Sequence, residues 1–280
     1  MSTPRPGVAA AKRLAVCTDT TIWLAVEAQY SAVESQPQLA GLATLREHYC
    51  ALGHTLQSAL AVAADGNPNT YQVQEQEQHL LSITKDELFL IVNWKFKVGK
   101  PRNALWKYLK ANTNASVIEQ SAKALQHILR SRTHENTNGP GGACLKSALQ
   151  ALSQLQGVGP ATAAAVLSLV VPTSFAYMYD EVLDCFAPKR TYTLAAYLSL
   201  NTACHDIATT LNEISTTQDW WTPARVARSL WIAARANAYE LHDHTVTAAT
   251  ATVKKKEKRA ATETMTTPMA ATKKKQRTKK

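Results

Sequence analysis

The sequence predicts an all-α protein, on three observations. Its 280 residues hold only ten glycines and eleven prolines, against 45% apolar residues rich in alanine and leucine. That balance favours helix over a turn-rich β architecture. Apolar residues recur at three- and four-residue steps, whereas no alternating run bounded by hairpin turns occurs. No internal repeat is present.

The elements follow in order. Residues 1–17, with three prolines or glycines near the start, read as a flexible arm. Residues 18–78 read as an N-terminal helical extension. In it Trp23, Leu24, Val26, Ala28 and Tyr30 give a helix from Thr20 to about Ser35, stopped before Pro37. Leu42, Leu45, Tyr49, Leu52, Leu56 and Leu60 give a second from about Leu39 to Ala63. Asp65-Gly-Asn-Pro-Asn breaks the chain, and residues 72–78 are a polar connector.

Residues 79–244 read as the main domain. Thr84-Lys-Asp-Glu87 has the form of a capping box, in which the Thr84 oxygen accepts from the third helical amide while Glu87 reaches back. The helix it opens carries Leu88, Ile91, Val92 and Phe96, and ends at Gly99 and Pro101. Further helices are expected over about 102–111 and 116–130, then from Cys144, Pro160, about Glu181, Leu194 and Pro223. Asn136–Gly142 is the softest internal loop.

The formal net charge is +10, with 31 basic and 21 acidic residues. Of these, 11 and 2 lie in residues 245–280, which leaves 20 and 19 in residues 1–244. The body is therefore close to neutral and the excess sits in a tail. That tail alternates Ala/Thr stretches with basic clusters at 254–259 and 273–280. It has too little apolar surface to offset its ordering entropy, so it is expected to be disordered. Such clusters read as nuclear import signals or phosphate-contacting arms, with a merely solubilising terminus as the alternative.

The five cysteines are odd in number and at least 19 residues apart. No zinc site, iron–sulfur cluster or disulfide framework is expected from that spacing, nor any other cofactor. Met1 to Arg13 has no apolar signal-peptide core, and no run approaches the roughly 18 apolar residues of a membrane span. The expectation is an intracellular protein with no membrane partner.

One segment carries a sharp signature: Leu155-Gln-Gly-Val-Gly-Pro-Ala-Thr-Ala163. Gly157 and Gly159 allow a tight turn with positive φ and a close approach of another backbone. Pro160 is preset for the first helical position and Thr162 falls in the first turn. Amides from Gly157 through Val158, Gly159, Ala161 and Thr162 then point outward at a helix N-terminus, which suits an anion.

This segment resembles the helix-hairpin-helix motif, and with it the helix-hairpin-helix DNA glycosylases. The resemblance implies a glycosylase-like helical domain that grips DNA phosphates without reading bases. It also implies a role for Asp180, a little over twenty residues past Gly157 at a helix start. By resemblance that carboxylate stabilises the oxocarbenium-like sugar or positions the attacking water as a base leaves. The alternative is that Asp180 and Glu181 only favour a helix N-terminus. Bifunctional members carry a nucleophilic lysine where this chain has Ala161, so strand-cleaving lyase chemistry is not expected from that position. The wider pattern of Trp94-Lys, Gly99-Lys-x-Arg102, Gly157-Val-Gly-Pro-x-Thr-Ala163, Met178-x-Asp-Glu181 and Trp221-Thr-Pro223 resembles an uncharacterised family of eukaryotic helix-hairpin-helix proteins. It brings no established activity.

Lys95, Lys97, Lys100 and Arg102 lie beside Trp94, a pattern that suits phosphate contacts next to a stacking platform. Trp94 and Tyr179 are the candidate base-stacking rings, with plain core packing as the alternative. Three function classes fit. The first is a nuclear DNA-binding protein. The second is a monofunctional DNA glycosylase of base excision repair that uses Asp180. The third is a scaffold that keeps the fold for a protein partner. An open cavity at Asp180, large enough for a flipped base, is what separates the second from the first.

Overall fold

The computed structural model describes residues 6–64, 81–133, 142–215 and 220–236. All regular structure among them is helical. In chain order the helices are α1 (Pro6–Ala15), α2 (Thr20–Glu27), α3 (Tyr30–Glu34), α4 (Leu42–Ala64), α5 (Lys85–Val98) and α6 (Trp106–Ala111). They continue with α7 (Asn114–Thr133), α8 (Gly142–Leu152), α9 (Pro160–Val170), α10 (Asp180–Phe186), α11 (Leu194–Ile214) and α12 (Pro223–Arg235). The breaker at 65–69, the connector at 72–78, most of the 136–142 loop and the basic tail lie outside the described residues. Among the described residues no helix is long and apolar enough to cross a membrane.

Helix α9 is the centre. Every residue from Thr162 to Val170 is buried, because α4, α5, α8 and α11 all pack on it. Ala163, Ala164 and Ala165 are small enough to let those neighbours approach closely. Polar anchors fix the packing as well. The Tyr49 hydroxyl donates to the Ala165 carbonyl at 2.9 Å, and Gln57 Nε2 caps the Leu169 carbonyl at 2.7 Å. Gly53 lies against Leu169, where a Cβ would collide with that side chain.

The expected capping box is present. Thr84 Oγ1 accepts from the Glu87 amide at 3.3 Å, and a Glu87 carboxylate oxygen accepts from the Thr84 amide at 2.6 Å. The helix from Thr20 is shorter than its apolar spacing predicts. It breaks at Ala28-Gln29, and α3 restarts at Tyr30 so that Val33 and Leu39 reach the core.

Two expectations about organisation are corrected. Residues 1–17 do not read throughout as a flexible arm, since Pro6–Ala15 is a helix with Ala10, Ala11 and Leu14 buried against α10 and α12. Gly7 makes that seat possible, because a Cβ there would run into the Ala234 carbonyl. The extension expected over residues 18–78 is described as far as 64, and there it is no appendage: α2 and α4 belong to the same compact unit as the later helices and share its core.

The Glu27 carboxylate joins the two ends of that unit. It accepts from Arg225 Nε at 3.0 Å and Nη2 at 2.7 Å, from Arg228 Nη2 at 3.2 Å and from Ser229 Oγ at 3.3 Å. Arg225 Cζ also sits over the Trp221 ring, 4.0 Å from its centroid, and Trp221 meets Trp23 edge-on at 5.5 Å.

Candidate functional site

The turn before α9 is held from behind. Asn112, just past α6, donates from Nδ2 to the Gln156 carbonyl at 2.9 Å and accepts the Gln156 amide at 2.8 Å. Gly157 has φ +77, the left-handed region that favours glycine, and a side chain there would crowd Tyr108 and Leu109. Gly159 differs from its expectation. Its φ is −102 with ψ −177, an extended N-cap conformation that any residue adopts. A Cβ at Gly159 would meet open space.

The anion-site expectation narrows in the same way. The Val158 amide donates to Leu155, and the Thr162 and Ala163 amides donate to the Gly159 carbonyl at 2.9 Å each. Val158 and Thr162 are buried. Pro160 takes the first helical position and has no amide hydrogen. Among the described residues, the Gly157 amide in the turn and the Gly159 and Ala161 amides at the N-terminus of α9 are left without an acceptor.

Gly157, Gly159 and Ala161 all line a cavity of about 400 Å³. Residues 157–162 form one wall, and Lys95, Lys100 and Arg102 stand on the side of α5 and the loop after it. Tyr177, Met178, Tyr179, Asp180 and Glu181 form the far side, with Tyr192 at its edge. The structure thus brings together the turn, three of the four expected basic residues and Asp180. Lys97 is the exception and does not line the cavity.

Trp94 is also absent from the lining. It is 5% exposed, stacks on Tyr49 with centroids 4.1 Å apart, and faces a different cavity of about 570 Å³. The pattern of α5 explains both departures, because Trp94, Phe96 and Val98 point inward and share the core. Tyr179 lines the first cavity but is buried, with its ring stacked on Trp231 at 5.5 Å. Burial pushes the Tyr177 and Tyr179 phenols well above their ordinary range.

Asp180 opens α10, and its side chain is 16% exposed. One carboxylate oxygen accepts from Arg190 Nη1 at 3.1 Å, the other from the Tyr192 hydroxyl at 2.8 Å. Arg190 also holds Asp184, whose hydrogen bond raises the guanidinium's proton affinity. Arg102 lies over the Tyr192 ring, 4.3 Å from its centroid. The Tyr192 phenol is raised by burial and by its bond to Asp180.

Sequence reasoning missed Arg190, Tyr192 and the partner of Glu181. Glu181 Oε1 accepts from Arg235 Nε at 2.7 Å, while Oε2 is buried without a hydrogen-bond partner. An Asp-Glu pair followed ten to twelve residues later by Arg and Tyr was visible in the sequence, but nothing local says that the chain turns back there.

Lys95 departs most from its expected role. It is partly buried rather than displayed, with Nζ 5.1 Å from the Phe96 ring centroid. Burial first, then the Arg102 charge, lower its amine to about 8, against an opposing pull from Asp180.

No three His, Cys, Asp or Glu side chains gather as metal ligands among the described residues. The arrangement can hold an anion at the turn, stabilise positive charge beside two carboxylates, and present an amine. Compared with protein-family models, with curated proteins and with solved structures, the chain matches none.

Proposed function

We propose that this chain is a DNA-binding protein of the glycosylase-like helix-hairpin-helix kind, and that the Gly157–Thr162 turn grips a backbone phosphate. The observation that carries this reading is the pair of unpaired amides at the N-terminus of α9, on Gly159 and Ala161, two residues that line one cavity with Lys100 and Arg102. Amides at a helix N-terminus with nearby cations suit a phosphate and supply no base readout. The open space over Gly159 leaves room for a phosphate to touch the backbone. The nearly neutral body contributes little long-range attraction. The basic clusters at 254–259 and 273–280 are therefore proposed to supply the salt-dependent share of affinity and to direct the protein to the nucleus.

A second reading, a monofunctional DNA glycosylase of base excision repair, is favoured by one specific observation. Asp180 lies in the lining of the same cavity as the turn, and about 400 Å³ is in the range of small-ligand sites. A nucleotide drawn out of the duplex would enter there, with its sugar toward Asp180.

Gly159→Glu tests the grip. The backbone tolerates a side chain at this extended position, so circular dichroism should match the parent. A carboxylate would then stand where the phosphate approaches. Affinity for duplex DNA should fall at least about tenfold, alike for all sequences, since phosphate contacts carry no sequence information. A folded variant that binds as tightly as the parent would discard the turn as the grip.

A further inference from the structure

The cavity of about 570 Å³ that Trp94 faces is lined from α3, α4, α5, α9 and α12. It shares Tyr177 and Tyr179 with the first cavity but none of the turn at 157–162. Its volume is in the range of small-molecule sites. Part of its wall is a packed set of rings. Trp94 stacks on Tyr49 at 4.1 Å and meets Tyr177 at 5.0 Å, and Tyr177 meets Tyr179 at 4.3 Å.

The polar groups on this wall are mostly donors in want of an acceptor. The Tyr30, Tyr177 and Tyr179 hydroxyls have no hydrogen-bond partner among the described residues, and the Trp94 indole nitrogen is buried without one. Burial first, then the Glu34 charge, push the Tyr30 phenol up to about 12, so it keeps its proton at neutral pH. Arg46 donates through Nε to Glu34 at 2.8 Å, and Arg228 through Nη2 to Glu27 at 3.2 Å. The remaining nitrogens of both guanidinium groups have no acceptor among the described residues. Glu27 is already saturated, since Arg225 and Ser229 donate to it as well. Arg46, Arg225 and Arg228 face the carboxylates of Glu27 and Glu34, which leaves one positive charge in excess.

A neutral apolar ligand would leave these donors unmatched, and a cation would meet like charge. A small anion without a ring would leave the aromatic wall unused. A phosphate monoester carries more negative charge than the single excess cation matches. A carboxylate carries one charge, and its two oxygens suit guanidinium donors.

We propose that this cavity binds a small flat aromatic carboxylate, with its ring against Trp94 and Tyr177 and its carboxylate on the free nitrogens of Arg46 and Arg228. The site is separate from the turn before α9, and the inference does not depend on DNA binding. It gives the N-terminal helices a function, because α3 supplies Tyr30 and α4 supplies Arg46 and Tyr49.

The test titrates full-length protein with naphthalene-2-carboxylate in a calorimeter. Binding tighter than about 1 mM is expected. 2-Naphthylmethanol, the same ring without the charge, should bind at least about tenfold more weakly. Arg228→Gln should weaken the carboxylate at least about tenfold. Its circular dichroism should match the parent, because the Arg228 side chain is 49% exposed and Glu27 keeps Arg225 and Ser229.

Cys50 is exposed and lines this cavity, so it locates the ligand. Saturating naphthalene-2-carboxylate should slow its alkylation by iodoacetamide at least about threefold, read by peptide mass, while Cys17 reacts at an unchanged rate. Affinity weaker than about 1 mM would overturn the site. Binding that persists in Arg228→Gln, or that leaves Cys50 unprotected, lies elsewhere on the chain and also overturns it. Adenosine 5′-monophosphate presents a flat ring with a phosphate in place of the carboxylate and should bind more weakly. Tighter binding of that nucleotide would overturn the carboxylate assignment.

Discussion

Glu27→Ala is expected to lower stability by about 3 kcal/mol, the largest loss from a single polar substitution in this fold. The carboxylate is 15% exposed and Arg225 is 18% exposed, so neither charge is fully hydrated. It takes five hydrogen bonds from α12: three from Arg225, one from Arg228 and one from Ser229. Removing it strands the Arg225 guanidinium between Trp221 and a cavity. An uncompensated, partly buried charge is what makes the loss large, since the intact pair itself adds little. At about 2–4 °C per kcal/mol for a domain of this size, the midpoint should drop by roughly 10 °C. Thermal unfolding followed by circular dichroism reads it, and Glu27→Gln should lose less because its amide oxygen still accepts. A drop of under about 2 °C would show that the two ends of the chain are not joined through this residue.

Asp180→Asn carries the largest effect expected on chemistry. If the chain releases damaged bases, the Asp180 carboxylate faces a sugar that turns cationic as the base departs. Losing that charge should slow release on the order of 100-fold or more, with little change in duplex affinity. The substitution also turns one acceptor toward Arg190 into an amide, but Arg190 keeps Asp184, so the fold should hold. The assay offers duplexes with alkylated, deaminated and oxidised bases and reads strands before and after alkali. Release that persists at full rate would remove Asp180 from the chemistry. Absence of release from every duplex in the parent would leave the binding reading alone.

What the sequence made legible was local. The Thr84–Glu87 capping box spans four residues, and both of its hydrogen bonds can be read from residue types alone. The Gly157–Pro160 turn is equally local: the positive φ falls on Gly157, and Pro160 starts the helix. Asp180 begins α10 for the same kind of reason. What stayed hidden depended on contacts between distant segments. Helix α1 is seated by Gly7 against Ala234 and by small alanines, which give a weak apolar stripe. The face of α5 is not legible in the sequence because Trp94, Phe96 and Val98 alternate inward near its end, so a basic–aromatic run looks like a surface. Lys95 becomes a cavity residue only once residues 100–102 and 177–181 close around it. Arg190 and Tyr192 join Asp180 through the turn after α10, which no local pattern announces.

The phosphate grip can be observed at the amides themselves. Isotope-labelled full-length protein is titrated with a short DNA duplex, and backbone amide signals are followed by nuclear magnetic resonance. The Gly159 and Ala161 amides have no acceptor among the described residues, and a phosphate would give them one. Their signals should shift furthest among residues 142–215, and the shifts should vanish in Gly159→Glu. Saturating duplex that moves other signals while those two stay in place would contradict the account.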